Sequence, residues 1–277
     1  MRRPVNTILI TGCSSGIGYI TAKGLRERGY RVFASARKLE DVARLKADGF
    51  EAVHLDLDDS TSLKAAVAQV LEWTGGSLDA LFNNGAWGQI GAVEDLSRQV
   101  LRAQFETNLF GTLELTNLVL PIMRHQGHGR ILFNSSVLGF VALPYRGAYT
   151  ASKYALEAFA DTLRLELHGT QIHPVLIEPG PILTKFRENA YRMFKQNIDA
   201  EHSPYHHVYQ RMEQRLATEG PVVPFTLPPE AVLQKVIYAL ERPKPKARYY
   251  VTFPTYLFAF LKRTLPIRAL DWVLRRV

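Results

Sequence analysis

The sequence predicts an α/β protein: a doubly wound parallel sheet, one domain spanning residues 1–277, with helices on both faces. Three observations carry this. Short apolar runs of strand length alternate with amphipathic stretches of helix length from the first residues onward. Such alternation puts a crossover helix between successive strands, which makes them parallel, and right-handed crossovers then cover both faces of the sheet. The length, 277 residues, suits one such domain with a substantial core.

The elements follow in order. Thr7-Ile8-Leu9-Ile10 is an apolar strand that runs into glycine, and residues 16–28 read as a helix stopped by Gly29. Val32-Phe33-Ala34 is the second strand, 39–46 the second helix and Ala52-Val53-His54-Leu55 the third strand. A helix over 60–73 precedes the strand Ala80-Leu81-Phe82, and one long helix is expected over 101–123. Arg130-Ile131-Leu132-Phe133, a helix over 149–167 and the strand Pro174-Val175-Leu176-Ile177 continue the pattern. Tyr249-Tyr250-Val251-Thr252-Phe253 looks like the last strand. In sheets of this kind ligands bind at the carboxyl ends of the strands, so the residues there are the candidates for function.

Composition narrows the classes. A hydrophobic share of 47% and a charged share of 22% are those of a globular protein rather than a disordered or fibrous one. The one cysteine, Cys13, cannot form an intrachain disulfide. Met1-Arg2-Arg3-Pro4 leads into an apolar run too short for a signal peptide. Both point to the cytoplasm. The net charge of +8 raises nucleic acid as a partner, but from Glu241 onward there are nine Lys/Arg against two Asp/Glu, so the excess is local and no nucleic-acid partner is expected. His202, His206 and His207 cluster without acidic or cysteine partners at ligand spacing, and no metal is expected there.

The first strand is followed by Thr11-Gly12-Cys13-Ser14-Ser15-Gly16-Ile17-Gly18, which opens the first helix. Glycines let the backbone turn tightly and come close to a pyrophosphate, and a helix N-terminus offers free N–H groups and partial positive charge. Gly12, Ser14, Ser15, Gly16, Ile17 and Gly18 are therefore candidate dinucleotide contacts. An acidic residue ending the second strand would take the ribose hydroxyls of NAD; here stand Ala36 and Arg37, and a cation at that place favours NADP(H) over NAD(H). Tyr149 and Lys153 lie four apart on one helical face. A nearby ammonium lowers a phenol's pKa from about 10 toward neutrality and makes it a usable acid/base.

Through these motifs together, the sequence resembles the short-chain dehydrogenase/reductase family, a Rossmann-like fold, over about residues 7–184. The recurring features are Thr11-Gly12-x-x-x-Gly16-x-Gly18, Asp56, Asn83-Asn84-Gly85, Asn134-Ser135-Ser136, Tyr149-x-x-x-Lys153, and Pro179-Gly180-Pro181-Ile182 with Thr184. The resemblance implies reversible hydride transfer between a nicotinamide and a carbonyl/alcohol carbon. It assigns the catalytic serine to Ser136, thirteen residues before the tyrosine, and proton exchange to Tyr149. Lys153 would hold the nicotinamide ribose, Tyr149 would stand beside it, and Asn108 would hold a water on the proton path. Asp56 and the Leu57 backbone would meet the adenine, and Asn83 and Gly85 the adenosine side of the groove. Ile182 and Thr184, with Pro179, would hold the carboxamide. The order Gly85-Ala86 departs from the family's Ala-Gly.

The resemblance also implies a lid, at about 184–222, and a homodimer or homotetramer formed through the long helices. The segment 249–277 is aromatic and basic. Its uncharged run 249–261 falls short of the about 20 residues of a membrane span. It reads either as an interfacial segment at a membrane surface or as a cover over the pocket or a partner subunit. Its likeness to tails of retinol and steroid dehydrogenases favours a lipophilic small-molecule substrate. The alternatives are an NAD(H) enzyme of a small polar substrate or acyl-thioester, and a dinucleotide-sensing regulator without catalysis.

Overall fold

The computed structural model describes residues 6–218, 220 and 223–277. The N-terminal stretch read for an export signal and the last two positions of the expected lid, Pro221 and Val222, lie outside the described residues.

Seven strands form one parallel sheet: β1 (Thr7–Ile10), β2 (Arg31–Ala36), β3 (Glu51–His54), β4 (Ala80–Asn83), β5 (Gly129–Asn134), β6 (Ile172–Glu178) and β7 (Arg248–Tyr250), in the order β3-β2-β1-β4-β5-β6-β7. The chain winds outward from β1 to β3, returns to β4 beside β1, and winds outward again. The crevice where the order reverses, at the carboxyl ends of β1 and β4, is where such sheets bind ligands.

Strand residues alternate between two buried layers. Ile8, Ile10, Val32 and Ala34 pack with α1 (Gly16–Glu27), α2 (Leu39–Ala47) and α9 (Glu230–Glu241). Leu9, Phe33, Leu81 and Ile131 pack with α3 (Ser60–Thr74), α5 (Thr112–Gln126) and α6 (Gly147–Glu166). Two smaller clusters sit over the carboxyl edge. One joins α7 (Phe186–Asn197) and α8 (His206–Ala217) to Ile90 and Ala92. The other joins α10 (Phe253–Thr264) and α11 (Ile267–Leu274) to Leu138, Phe140 and Val141.

Three elements differ from the sequence reading. The long helix expected over 101–123 is two helices, α4 (Arg98–Phe105) and α5, separated by a π-helical turn over Glu106–Gly111. That turn brings Gly111 against the Leu57 backbone, where a Cβ would stand 1.8 Å from the Leu57 carbonyl oxygen. Helix α9 has no counterpart in the reading; its apolar face fits so closely on α1 that a Cβ on Gly24 would meet Leu233 at 2.3 Å. The last strand ends at Tyr250, because Pro254 occupies the first turn of α10 and starts a helix where a strand residue was expected.

Candidate active site

The phosphate end of the crevice is built by glycine geometry. Gly12 (φ 70°) and Gly16 (φ 57°) adopt left-handed backbone. Gly18 brings the helix against the turn, since a Cβ there would stand 2.2 Å from the Gly12 carbonyl oxygen. Ser15 caps α1 with extended backbone and no side-chain hydrogen bond, so no side chain of the cap satisfies the first-turn N–H groups. Ser14, Ser15, Gly16 and Ile17 line a cavity of about 490 Å³ that also holds Ser136, Tyr149, Lys153, Pro179, Ile182 and Thr184. An adjoining cavity of about 340 Å³ shares Gly12, Ser14 and Gly85 with it and is lined by Arg37, Asp56 and Leu57. Cys13 faces the core, and burial pushes its thiol up to about 12, which makes it unreactive.

Asn84 ties the strand ends together. Its Nδ2 donates to the Thr11 carbonyl (2.8 Å), and its Oδ1 accepts from Asn134 Nδ2 (2.9 Å). Thr11 Oγ1 accepts from the backbone N–H groups of Asn84 and Gly85, 2.8 Å each, so the Gly85-Ala86 order is accommodated.

At the other end, α6 presents Tyr149 and Lys153 to the cavity. Lys153 Nζ donates to the Asn134 carbonyl at 2.7 Å and lies 5.7 Å from the centre of the Tyr149 ring. Ser136 Oγ accepts from the Leu138 N–H (3.1 Å) and is hydrogen-bonded to the Tyr149 phenol. Burial pushes the Tyr149 phenol up to about 12, and the Ser136 hydrogen bond opposes it. Burial pulls Lys153 down to about 8, opposed by the charge of Glu157. Without a bound cofactor, desolvation dominates both groups, and the ammonium is engaged by the Asn134 carbonyl.

Two expected site residues lie just outside the cavities. Asn83 is buried below the groove, its Nδ2 on Thr116 Oγ1 (3.0 Å), and it lines neither cavity. Asn108 is also buried outside both: its Oδ1 accepts from the Trp87 N–H (3.1 Å), and its Nδ2 donates to the Trp87 carbonyl (2.9 Å) and to Ser152 Oγ (3.1 Å). Its side chain thereby ties the π-helical turn to the Trp87 backbone and to α6.

The same strand ends, turn and helix recur in known proteins. The profile of the family described as short chain dehydrogenase matches residues 6–195. The chain belongs to the short-chain dehydrogenase family. It is 42% identical to an uncharacterized oxidoreductase, YbbO, of Escherichia coli, over 97% of this chain and 94% of that one. It is 34% identical to human 17-beta-hydroxysteroid dehydrogenase type 1, over 88% of this chain and 77% of that one. Among solved structures it resembles an actinorhodin polyketide ketoreductase with NADPH, at a TM-score of 0.72 and 28% identity over 91% and 97% of the two chains. This short-chain dehydrogenase is therefore an oxidoreductase with steroid-dehydrogenase relatives.

The short-chain dehydrogenase site includes residues to which the sequence reading assigned no role, some of them within the motifs themselves. Asn84 and Asn134 join three strand ends. Phe186, at the start of α7, lays its ring 5.3 Å from that of Tyr149 and lines the cavity. Ser135 Oγ donates to Glu157 (2.7 Å), which Arg248 also holds. The alternation of side chains along β4 was the available signal for Asn84, because neighbours on a strand face opposite ways. The rest arise from contacts distant in sequence.

Proposed function

We propose that this protein is an NADP(H)-dependent reductase of a lipophilic carbonyl compound, and works reversibly as a dehydrogenase of the corresponding alcohol. The observation that carries the reading is the geometry at Tyr149: a buried phenol, hydrogen-bonded to Ser136 and with Lys153 Nζ 5.7 Å from its ring centre, in a cavity continuous with a glycine turn. The residues present fit a dinucleotide. Backbone at Gly12 and Gly16 and the uncapped start of α1 suit a pyrophosphate, Asp56 and Leu57 the adenine, Arg37 a 2′-phosphate, and Ile182 and Thr184 the carboxamide. When bound, the cofactor supplies or accepts the hydride.

The chain's own groups do the rest. Ser136 donates a hydrogen bond to the carbonyl oxygen and positions it against the phenol. Tyr149 gives that oxygen its proton as charge develops there. Lys153 stabilises the phenolate that remains, acting at short range because the surroundings are dry. Leu138, Leu143, Phe186 and Met212 give the cavity an apolar wall.

Two wider features belong to the same reading. The outer face of α6 leaves Phe159 and Leu165 exposed, which supports association into a homodimer or homotetramer. Helix α10 packs Phe258 and Ala259 inward but exposes Phe253, Tyr256, Leu257 and Phe260 beside basic residues, which supports contact with an anionic membrane surface.

The test is Tyr149→Phe. Loss of a positioned proton donor is expected to lower kcat by about 10²- to 10⁴-fold, with NADPH binding, read from tryptophan fluorescence, retained. Unchanged turnover would remove Tyr149 from the proton transfer.

A further inference from the structure

The cavity that holds Tyr149 is lined by Arg146, Lys153, Lys185, Arg187 and Arg215 and by no aspartate or glutamate. Lys153 is accounted for by the site described above. Arg187 donates to the Thr218 carbonyl. Arg146 and Arg215 have no such employment. Among the described residues, no carboxylate lies within ion-pair distance of either. Arg146 uses one donor, Nη1, on the Tyr145 carbonyl at 3.2 Å. Arg248, by contrast, is met by three carboxylates.

The placement of Arg146 is enforced at a cost. It precedes α6 by one residue and Tyr149 by three, on the loop that joins β5 to α6. Tyr145 before it is one of two non-glycine residues with left-handed backbone among the described residues (φ 61°), a conformation that costs an aromatic residue on the order of 1–3 kcal/mol. Its ring stands edge-on to Tyr205 and Tyr209, with centroids 5.6 and 6.3 Å away, and its carbonyl accepts from the Gly91 N–H at 3.1 Å. These contacts fix the loop and aim Arg146 at the lid. Arg215 approaches from α8, flanked in the cavity lining by Met212 and Leu216. Burial and the like charge of Arg215 both pull the Arg146 guanidinium down, to about 10. Two cations held near each other without a counter-ion are stabilised when an anion lies between them.

The cofactor does not need that pair. Its phosphates are served by the β1–α1 turn and Arg37, which belong to other elements at the other end of the crevice. We propose that Arg146 and Arg215 bind the anionic head of an amphiphilic substrate, an oxyanion such as a carboxylate or phosphate on an apolar body. The body lies against Leu143, Met212 and Leu216 and its carbonyl meets Ser136 and Tyr149. This inference rests on the oxidoreductase reading above and narrows its substrate class from lipophilic to acid-headed.

The test is calorimetric titration of the full chain, in the presence of NADP⁺, with dodecanoate, dodecyl phosphate and dodecanol. At least one of the two anions is expected to bind about tenfold or more tightly than the alcohol, as one charge-assisted contact allows. The stronger of them identifies the head group. Arg215→Met should remove that advantage, whereas Arg211→Met, exposed on the same helix and outside the cavity, should preserve it. Equal binding of the alcohol and both anions, or equal losses in the two variants, overturns the proposal. NADPH-dependent reduction of dodecanal and of 12-oxododecanoate reports separately on the reading beneath it. Reduction without an anion preference sinks only the acid-headed substrate, and anion binding without reduction of either aldehyde sinks only the reductase.

Discussion

At the scale of one side chain, the proposed preference for NADP(H) turns on Arg37. β2 ends in buried Ala36, and the next residue lines the same small cavity as Asp56 and Leu57. Arg192, reaching in from α7, adds a second cation to that cavity. A 2′-phosphate placed there gains charge-assisted hydrogen bonds worth about 1.5–3 kcal/mol. Arg37→Asp is therefore expected to raise KM for NADPH by about 10- to 100-fold and to spare NADH; equal effects on the two cofactors in steady-state kinetics would refute the selection. Arg37 was legible because its position relative to a strand end is a sequence property. So was the spacing of Ser136, Tyr149 and Lys153. The side-chain partners of Asn83 and Asn108 were not legible, because Thr116 and the Trp87 backbone are 33 and 21 residues away in sequence. Spacing shows that an ammonium is near Tyr149, but only the fold shows how dry the pair is.

At the scale of elements, β7 clamps the catalytic helix to the sheet. Arg248 at the start of β7 reaches Glu157 and Asp161 on α6 and Glu178 at the end of β6, the last at 2.6 Å. Glu178 has no exposed surface, and burial with the charge of Glu157 pushes it up to about 8. Such a carboxyl binds its proton more tightly folded than unfolded. Its contribution to stability is complete at low pH and declines as pH rises from about 4.5 to about 8. Removing the arginine exposes that penalty. Arg248→Met is expected to cost about 3 kcal/mol, and more at pH 8 than at pH 6, in urea denaturation followed by circular dichroism. A loss equal at both pH values would mean that the carboxylates are not what Arg248 balances. The same clamp bears on chemistry, because Glu157 lies one turn beyond Lys153 and supports its charge. None of this was legible in sequence. Strands and helices came from periodicity, but a buried charge cluster drawn from β6, α6 and β7 leaves no periodic trace, and the close fits of α9 on Gly24 and of Gly111 on Leu57 join residues distant in sequence.

For the molecule as a whole, the tail answers the sequence reading in two parts. One face packs on the protein: Phe258, Ala259 and Leu274 are buried in a cluster that includes Tyr149, though no residue of 249–277 lines the cavity. The other face is bare. Phe253, Tyr256, Leu257 and Phe260 recur at helical spacing along one exposed stripe of α10, and Ile267 and Trp272 of α11 are 76% and 57% exposed. Five basic residues and one acidic residue accompany them between Phe253 and Val277. Among the described residues no helix is long and apolar enough to cross a membrane. An aromatic stripe edged by cations instead suits the headgroup layer, where each Lys or Arg is worth about 1 kcal/mol on an anionic leaflet. Such attachment would place the cavity mouth near a supply of amphiphilic substrate. The full chain is expected to float with phosphatidylglycerol vesicles at low salt, to be released at high salt, and to ignore phosphatidylcholine vesicles. Phe260→Ser with Trp272→Ser changes only exposed side chains, so the folded core persists while flotation is lost; a double variant that floats as the parent does would exclude the stripe as the anchor.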